Sequence, residues 1–282
     1  MLMIGGAGLH KLKYRLIVSD LDGTLLNSKG QMSNRTIEAI KQYHEAGGFF
    51  TYATGRSEVS ARIFAEQSGI KIPGIAFNGG KVVSHLDGVV VHETFLDAEI
   101  AKKAYTALRK LGKNVIVYLD KSRHVAEYTA VIDKYLERVR QGVKIIRDIE
   151  QVIGDGSTLK KLLVIDPDQE DELIINTVKP IFRDKLNCIK SDPQYYEFMP
   201  PGTSKGSALE ALTKHIGIGL DEAIAIGDHL NDISMFEAAG FGVAVANAER
   251  EVLDAARYIT ASNNDDGVAL VIEKLLCGES LS

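Results

Sequence analysis

The sequence predicts an α/β protein, a doubly wound parallel-sheet core with a smaller α+β unit inserted into it. Three observations carry this expectation. Short apolar runs alternate with helix-length segments at both ends of the chain, and the middle is strand-heavy with a hairpin signal. Chemistry-bearing residues also cluster at the carboxyl ends of predicted strands, where open parallel sheets leave a crevice for ligands.

Residues 15–19 read as the first buried strand, and residues 36–46 as a helix closed by Gly47-Gly48. A second strand at 49–53, a helix at 58–68 and a third apolar run at 75–77 follow. Strand–helix alternation of this kind implies a parallel sheet covered on both faces. Residues 81–91 resemble a β-hairpin around Asp87-Gly88, a dipeptide suited to the positive φ of a tight turn. Next come a helix at 98–111, a strand at 114–119, a helix at 131–140, a strand at 159–165 and a helix at 169–182. Strands at 186–190 and 195–198 complete the middle, where core packing of Tyr195, Tyr196 and Phe198 is expected. The last third returns to the alternating pattern. A helix at 204–216 sets Ala208, Leu209, Leu212 and Ile216 on one face. A strand at 223–226, a helix at 232–239, a strand at 242–245, a helix at 249–256, a strand at 258–260 and a helix from Val268 finish the chain. The expected division is an N-terminal extension at 1–13, a core from 14–84 and 199–282, and an inserted unit at 85–198.

Composition narrows the partners. Thirty-three basic against 38 acidic residues give a net charge of −5, which argues against nucleic acid or an anionic membrane surface. A 45% hydrophobic, 25% charged chain excludes disorder. The longest run free of Asp, Glu, Lys and Arg, residues 238–248, falls well short of the ~18–20 needed to span a bilayer. Cys188 and Cys277 form neither a zinc spacing nor a disulfide framework, which fits a reducing compartment. Residues 1–13 have no basic region ahead of an apolar core, so a cytoplasmic location is expected.

The informative segment is Ser19-Asp20-Leu21-Asp22-Gly23-Thr24, at the end of the first strand. Two carboxylates delivered to one mouth repel by about 4 kcal/mol at 4 Å under an effective dielectric of ~20. A hard, oxygen-preferring cation such as Mg²⁺ relieves that repulsion. At the end of the second strand, Thr54 offers a hydroxyl, and the Gly55 amide can approach an anion closely. Lys205 follows the plausible N-cap Ser204, in a first turn whose helix dipole disfavours cations. A lysine there faces either solvent or an anion. Asp228 ends another strand, with Asn231 and Asp232 opening the next helix. Two controls temper these signals. Asp166-Pro167-Asp168 also follows an apolar strand but reads as a helix cap, and Gly154-Asp155-Gly156 shows that a Gly-Asp pair alone means little.

Taken in order, Asp20-x-Asp22-Gly-Thr24, Thr54-Gly-Arg56, Lys205-Gly206 and Gly227-Asp228-x-x-Asn231-Asp232 resemble the four motifs of the haloacid dehalogenase (HAD) superfamily of phosphatases. Asn78-Gly79-Gly80 and residues 263–269 are similar to further stretches of its Cof-type branch, subfamily IIB. The resemblance implies a Rossmann-like core with an α+β cap over 85–198 that sets specificity. It implies a Mg²⁺-dependent phosphatase acting on a sugar phosphate or similar small phosphomonoester. Asp20 would be the nucleophile, and Asp22 the acid and then the base. Mg²⁺ would be held by the Asp20 carboxylate, the Asp22 carbonyl and Asp228, with Thr24 and Asp232 supporting them. The Leu21 and Gly55 amides, Thr54, Lys205 and Asn231 would hold the phosphoryl oxygens. A phosphosugar mutase and a non-catalytic phosphate sensor are the alternatives, and the intact Asp22 argues against the sensor. His85 and Arg123 are candidate specificity residues. Monomer and homodimer are both left open.

Overall fold

The computed structural model describes residues 12–139, 142–154 and 158–281. Most of the expected extension therefore lies outside the described residues, as do Arg140 of the expected helix at 131–140 and Asp155-Gly156.

The chain begins β1 (Leu16–Ser19), α1 (Asn34–Glu45), β2 (Phe49–Tyr52), α2 (Glu58–Ser68), β3 (Gly74–Ala76), β4 (Lys81–Val83) and β5 (Val90–Glu93). It continues with α3 (Ala98–Lys110), β6 (Asn114–Leu119), β7 (Arg123–Val125), α4 (Ala130–Val139), β8 (Lys144–Ile145) and α5 (Ile149–Gly154). Then come β9 (Leu159–Ile165), α6 (Asp171–Phe182), β10 (Asn187–Asp192) and β11 (Tyr195–Met199). The final third holds α7 (Lys205–Ile216), β12 (Ala223–Gly227), α8 (Ile233–Ala238), β13 (Phe241–Val245), α9 (Arg250–Ala255), β14 (Tyr258–Thr260) and α10 (Gly267–Leu276).

A five-stranded sheet of order β14-β13-β12-β1-β2 is parallel throughout, as the alternating pattern predicts. Successive residues Leu16, Ile17 and Val18 of β1 are all fully buried. Because strand side chains alternate, such a run requires cover on both faces. β1, lying between β12 and β2, thus unites the first and last thirds of the sequence.

The middle of the chain forms a six-stranded mixed sheet, β10-β11-β9-β6-β7-β8. Its two faces carry separate apolar clusters. Val115, Val117, Leu162 and Val164 pack under α3 and α6 with Tyr196 and Phe198, while Ile116, Tyr118, Leu163 and Ile165 pack on the other side with Phe77 and Tyr135. The even–odd split follows from the two-residue strand period.

The apolar run at 75–77 forms a strand as expected and continues beside β2, but only through one parallel bridge, Ala53 to Ile75; its ladder partner is β4, antiparallel to it in a separate three-stranded sheet. Phe77 and Asn78 both adopt φ of 52°, and Gly79 one of 98°, so the chain turns back on itself at once. The expected hairpin forms with β4 and β5 antiparallel, and Gly88 supplies the positive φ.

Candidate active site

The carboxyl edge of the parallel sheet gathers the predicted residues. The Asp20 amide donates to the Ile226 carbonyl at 2.8 Å, extending the β1–β12 ladder beyond the last strand residue. That register sets Asp20 beside the loop bearing Asp228. Thr24 Oγ1 donates to Asp228 Oδ1 at 2.5 Å, linking two segments some two hundred residues apart. Gly23 makes the approach possible. Its φ is +82°, and a Cβ there would lie 2.3 Å from Asp228 Oδ2.

Lys205 decides the character of the site. Its helix is started by Ser204, whose side chain accepts from the Ser207 amide in a capping box. The lysine then turns inward. Its Nζ lies 2.8 Å from Asp20 Oδ1 and 2.5 Å from Asp232 Oδ1, and the side chain is wholly buried. Burial alone would lower its pKa, yet Asp20 and Asp232 raise it above the ordinary lysine value. The solvent-facing alternative is therefore excluded.

Ligand atoms of Asp20, Asp228 and Asp232 lie within 4.8 Å of one another. Burial pushes the Asp20 carboxyl well above the usual carboxylate range, with Lys205 pulling it back. Burial, reinforced by the charge of Asp232, pushes Asp228 up to about 7. Three carboxylates facing one ammonium leave a charge deficit that a divalent cation would fill. Asp20 Oδ2 and Asp228 Oδ2 receive no hydrogen bond among the described residues. An all-oxygen donor set of this kind suits Mg²⁺. Asp232 differs. Its Oδ2 accepts from the Asp228 and His229 amides at 2.9 and 3.0 Å, and its Oδ1 holds Lys205. Its capacity is largely spent on shaping the loop and orienting the lysine.

The remaining predicted residues line the same mouth. Thr54 is buried, and its hydroxyl accepts from the Arg56 amide at 3.1 Å. Asn231 Nδ2 donates to Asn78 Oδ1 at 2.9 Å, and Leu21 is buried beside Asp20. Asp22 is half-exposed and paired with Arg56, whose Nε and Nη2 reach its two oxygens at 2.6 and 2.5 Å. Asp166 shapes the turn ahead of α6, accepting from the Glu170 amide at 2.7 Å, and its other oxygen holds the buried Lys113 at 2.8 Å. His85 borders Arg62 and Glu66, and His229 lies against Glu249.

Sequence reasoning missed a buried relay. Asn78 Nδ2 donates to Glu197 Oε2 at 2.8 Å; the same oxygen receives Lys161 Nζ at 2.6 Å, and Lys161 also donates to the Gly55 carbonyl at 3.0 Å. The mixed sheet is thereby pinned to the Thr54–Arg56 turn and to Asn231. Asn78 was legible in the Asn78-Gly79-Gly80 stretch, whereas Lys161 and Glu197 carry no local signal. Glu197→Leu leaves the Lys161 ammonium buried without a counter-charge, and is expected to cost about 3–5 kcal/mol in denaturant unfolding. Adding Lys161→Met should recover most of that loss. A double variant no more stable than the single one would exclude the pair as the cause.

Fold and polar cluster together put the protein among the phosphatase-type hydrolases built on a parallel sheet. The haloacid dehalogenase-like hydrolase family model matches residues 17–272, and the chain belongs to that family. It is 33% identical to the 5-amino-6-(5-phospho-D-ribitylamino)uracil phosphatase YwtE of Bacillus subtilis, over 94% of this chain and 99% of that one. It is 30% identical to the phosphatase YwpJ of the same organism, over 93% and 100%. A crystal structure of a haloacid dehalogenase-like hydrolase from Bacteroides thetaiotaomicron matches with a TM-score of 0.83 at 29% identity, over 93% and 99%. No helix among the described residues is long and apolar enough to cross a membrane.

Proposed function

We propose that this protein is a Mg²⁺-dependent phosphatase of small phosphorylated metabolites that works through an aspartyl-phosphate on Asp20, beneath a cap formed by residues 85–198. One observation carries the reading: Lys205 is buried between Asp20 and Asp232, with Asp228 alongside.

The Asp20 and Asp228 side chains and the Asp22 carbonyl would hold Mg²⁺, which when bound offsets phosphate charge that would otherwise repel an anionic nucleophile. An Asp20 oxygen attacks phosphorus, and the bond to the leaving oxygen breaks as Asp22 protonates it. Asp22 then takes a proton from water. The water oxygen attacks phosphorus, the bond to Asp20 breaks, and inorganic phosphate leaves. Lys205, Thr54, Asn231 and the Leu21 and Gly55 amides would meet the phosphoryl oxygens, where charge develops. Arg56 meets both Asp22 oxygens in this structure, so the pair would have to loosen for Asp22 to carry the acid's proton.

Leaving-group chemistry tests this scheme. p-Nitrophenolate departs without a proton, so Asp22→Asn should release about one equivalent of it per enzyme and then stall at the phosphoenzyme. With glucose 6-phosphate the same variant should release almost nothing. Chelation by EDTA should lower wild-type turnover by about a hundredfold or more, restored by Mg²⁺. Steady turnover of both esters by Asp22→Asn, or turnover indifferent to EDTA, would overturn the reading.

A further inference from the structure

One cation on the face of the mixed sheet that meets Thr54–Arg56 is left unsatisfied. Residues paired across neighbouring strands project to the same face. Lys161 of β9 pairs with Tyr118 of β6, and Tyr118 with Arg123 of β7, so the three stand in one row. Distances bear this out. Lys161 Nζ, already on the Gly55 carbonyl, lies 4.9 Å from the centre of the Tyr118 ring, and the Arg123 guanidinium carbon lies 5.2 Å from the same centre. Lys161 is neutralised by Glu197. Arg123 is not: its Nε and Nη1 are shielded from solvent and have no hydrogen-bond partner among the described residues.

The two acids nearest to it are each engaged by a lysine. Glu197 already carries Lys161, Asn78 and Ser191. Asp120 is bound by Lys81 at 2.7 Å, and that lysine also reaches Glu58 at 2.7 Å. Arg123 instead faces a cavity of ≈ 270 Å³, lined also by Lys121, Ser122, the Ser57 and Val59 side of α2 and Asp120, whose charge is offset by Lys81. Ser57 follows the Thr54–Arg56 turn directly, so one wall of the cavity continues the segment that carries Thr54 and Gly55. Buried N–H groups without acceptors are unfavourable, and a guanidinium fork matches carboxylate or phosphate oxygens best.

We propose that Arg123 recognises a second anionic group on the substrate. The preferred substrates are then small phosphomonoesters that carry a carboxylate or a second phosphate at the end remote from the scissile phosphoryl group. This deepens the phosphatase reading above and rests on it. Arg123 acts on binding rather than on the reacting atoms, so its removal should raise KM and spare kcat.

Two matched pairs of esters test it: fructose 1,6-bisphosphate against fructose 6-phosphate, and 6-phosphogluconate against glucose 6-phosphate. The first pair reads a second phosphate and the second a carboxylate, with p-nitrophenyl phosphate as the singly anionic control. Wild type is expected to favour at least one doubly anionic ester by about tenfold or more in kcat/KM. Arg123→Gln should erase that preference through KM and leave p-nitrophenyl phosphate within twofold. The same preference, and its loss with Arg123→Gln, should appear as Kd by calorimetry in Asp20→Asn protein, where turnover is blocked. No preference in wild type, or an equal fall for every ester including the control, would overturn the proposal. Should wild type release phosphate from none of the five, the phosphatase reading falls, and the Kd ratios alone decide on Arg123.

Discussion

Asp20→Asn is expected to lower kcat for p-nitrophenyl phosphate by ~10⁴-fold or more, because on the mechanism proposed above it removes the covalent nucleophile, and with it the pathway and not a single contact. The fold should survive. Asn is nearly isosteric, its carbonyl oxygen can still accept from Lys205, and the β1–β12 ladder is made by backbone. The sign of the stability change is informative. Burial raises the Asp20 carboxyl, Lys205 lowers it, and both Asp232 and Asp228 add repulsion, with a net upward shift. The ionised group is therefore held at a cost, and a neutral amide removes part of it. In EDTA the variant should melt at or above the wild-type temperature. Addition of Mg²⁺ should then stabilise the variant less than wild type, since one anionic ligand is gone. Circular dichroism melts with and without Mg²⁺, beside phosphate-release kinetics, separate these effects. Wild-type turnover by the variant would remove Asp20 from the chemistry. A collapsed melt would instead assign it a structural role.

How far such effects can be foreseen depends on the range of the interactions behind them. The run Leu16-Ile-Val-Ser19 reads as a buried strand because its apolar residues and its neighbours are local facts. Asp20, Asp22, Thr54, Lys205 and Asp228 were legible for a similar reason: each sits at the end of such a strand or at a helix start. The relay was not legible. Lys160 and Lys161 open β9 as a charged pair, which looks like a solvated strand end, yet both are buried because β9 runs through the middle of a sheet covered on both faces. Their partners come from distant strands, Glu93 for Lys160 and Glu197 for Lys161, and pairing register is not written in either segment. The same holds for the pairing of Arg56 with Asp22. β7 and β8 are short and carry no apolar periodicity, so they became visible only as neighbours of β6. β3 was legible as a strand, but its antiparallel partnership with β4 was not, because that depends on the positive φ at Phe77 and Asn78, two non-glycine positions that turn the chain back.

Lys205→Met carries the second large effect, and it acts on stability and catalysis together. Methionine fills much of the same volume but leaves Asp20 and Asp232 buried without their ammonium. Removing one partner of a buried ion pair costs about 3–5 kcal/mol. For a chain of this size that lowers the melting temperature by about 10 °C. Lys205→Arg should not rescue it, because the lysine is fully enclosed and a planar guanidinium needs more room than the slot between Asp20 and Asp232 provides. In catalysis the loss of a preorganised positive charge should lower kcat by ~10²–10³-fold, with Asp20 still able to attack. Mg²⁺ discriminates the two roles. On the proposed reading, a dication held by Asp20 and Asp228 would replace part of the missing charge, so millimolar Mg²⁺ should raise the variant's melting temperature by more than it raises that of wild type. It would not replace the donor that Lys205 is proposed to offer the phosphoryl oxygens, so kcat should stay low at saturating metal. Full recovery of kcat with Mg²⁺ would show that Lys205 serves only to balance charge, and an unchanged melting temperature without metal would show that its ion pairs contribute nothing to the fold.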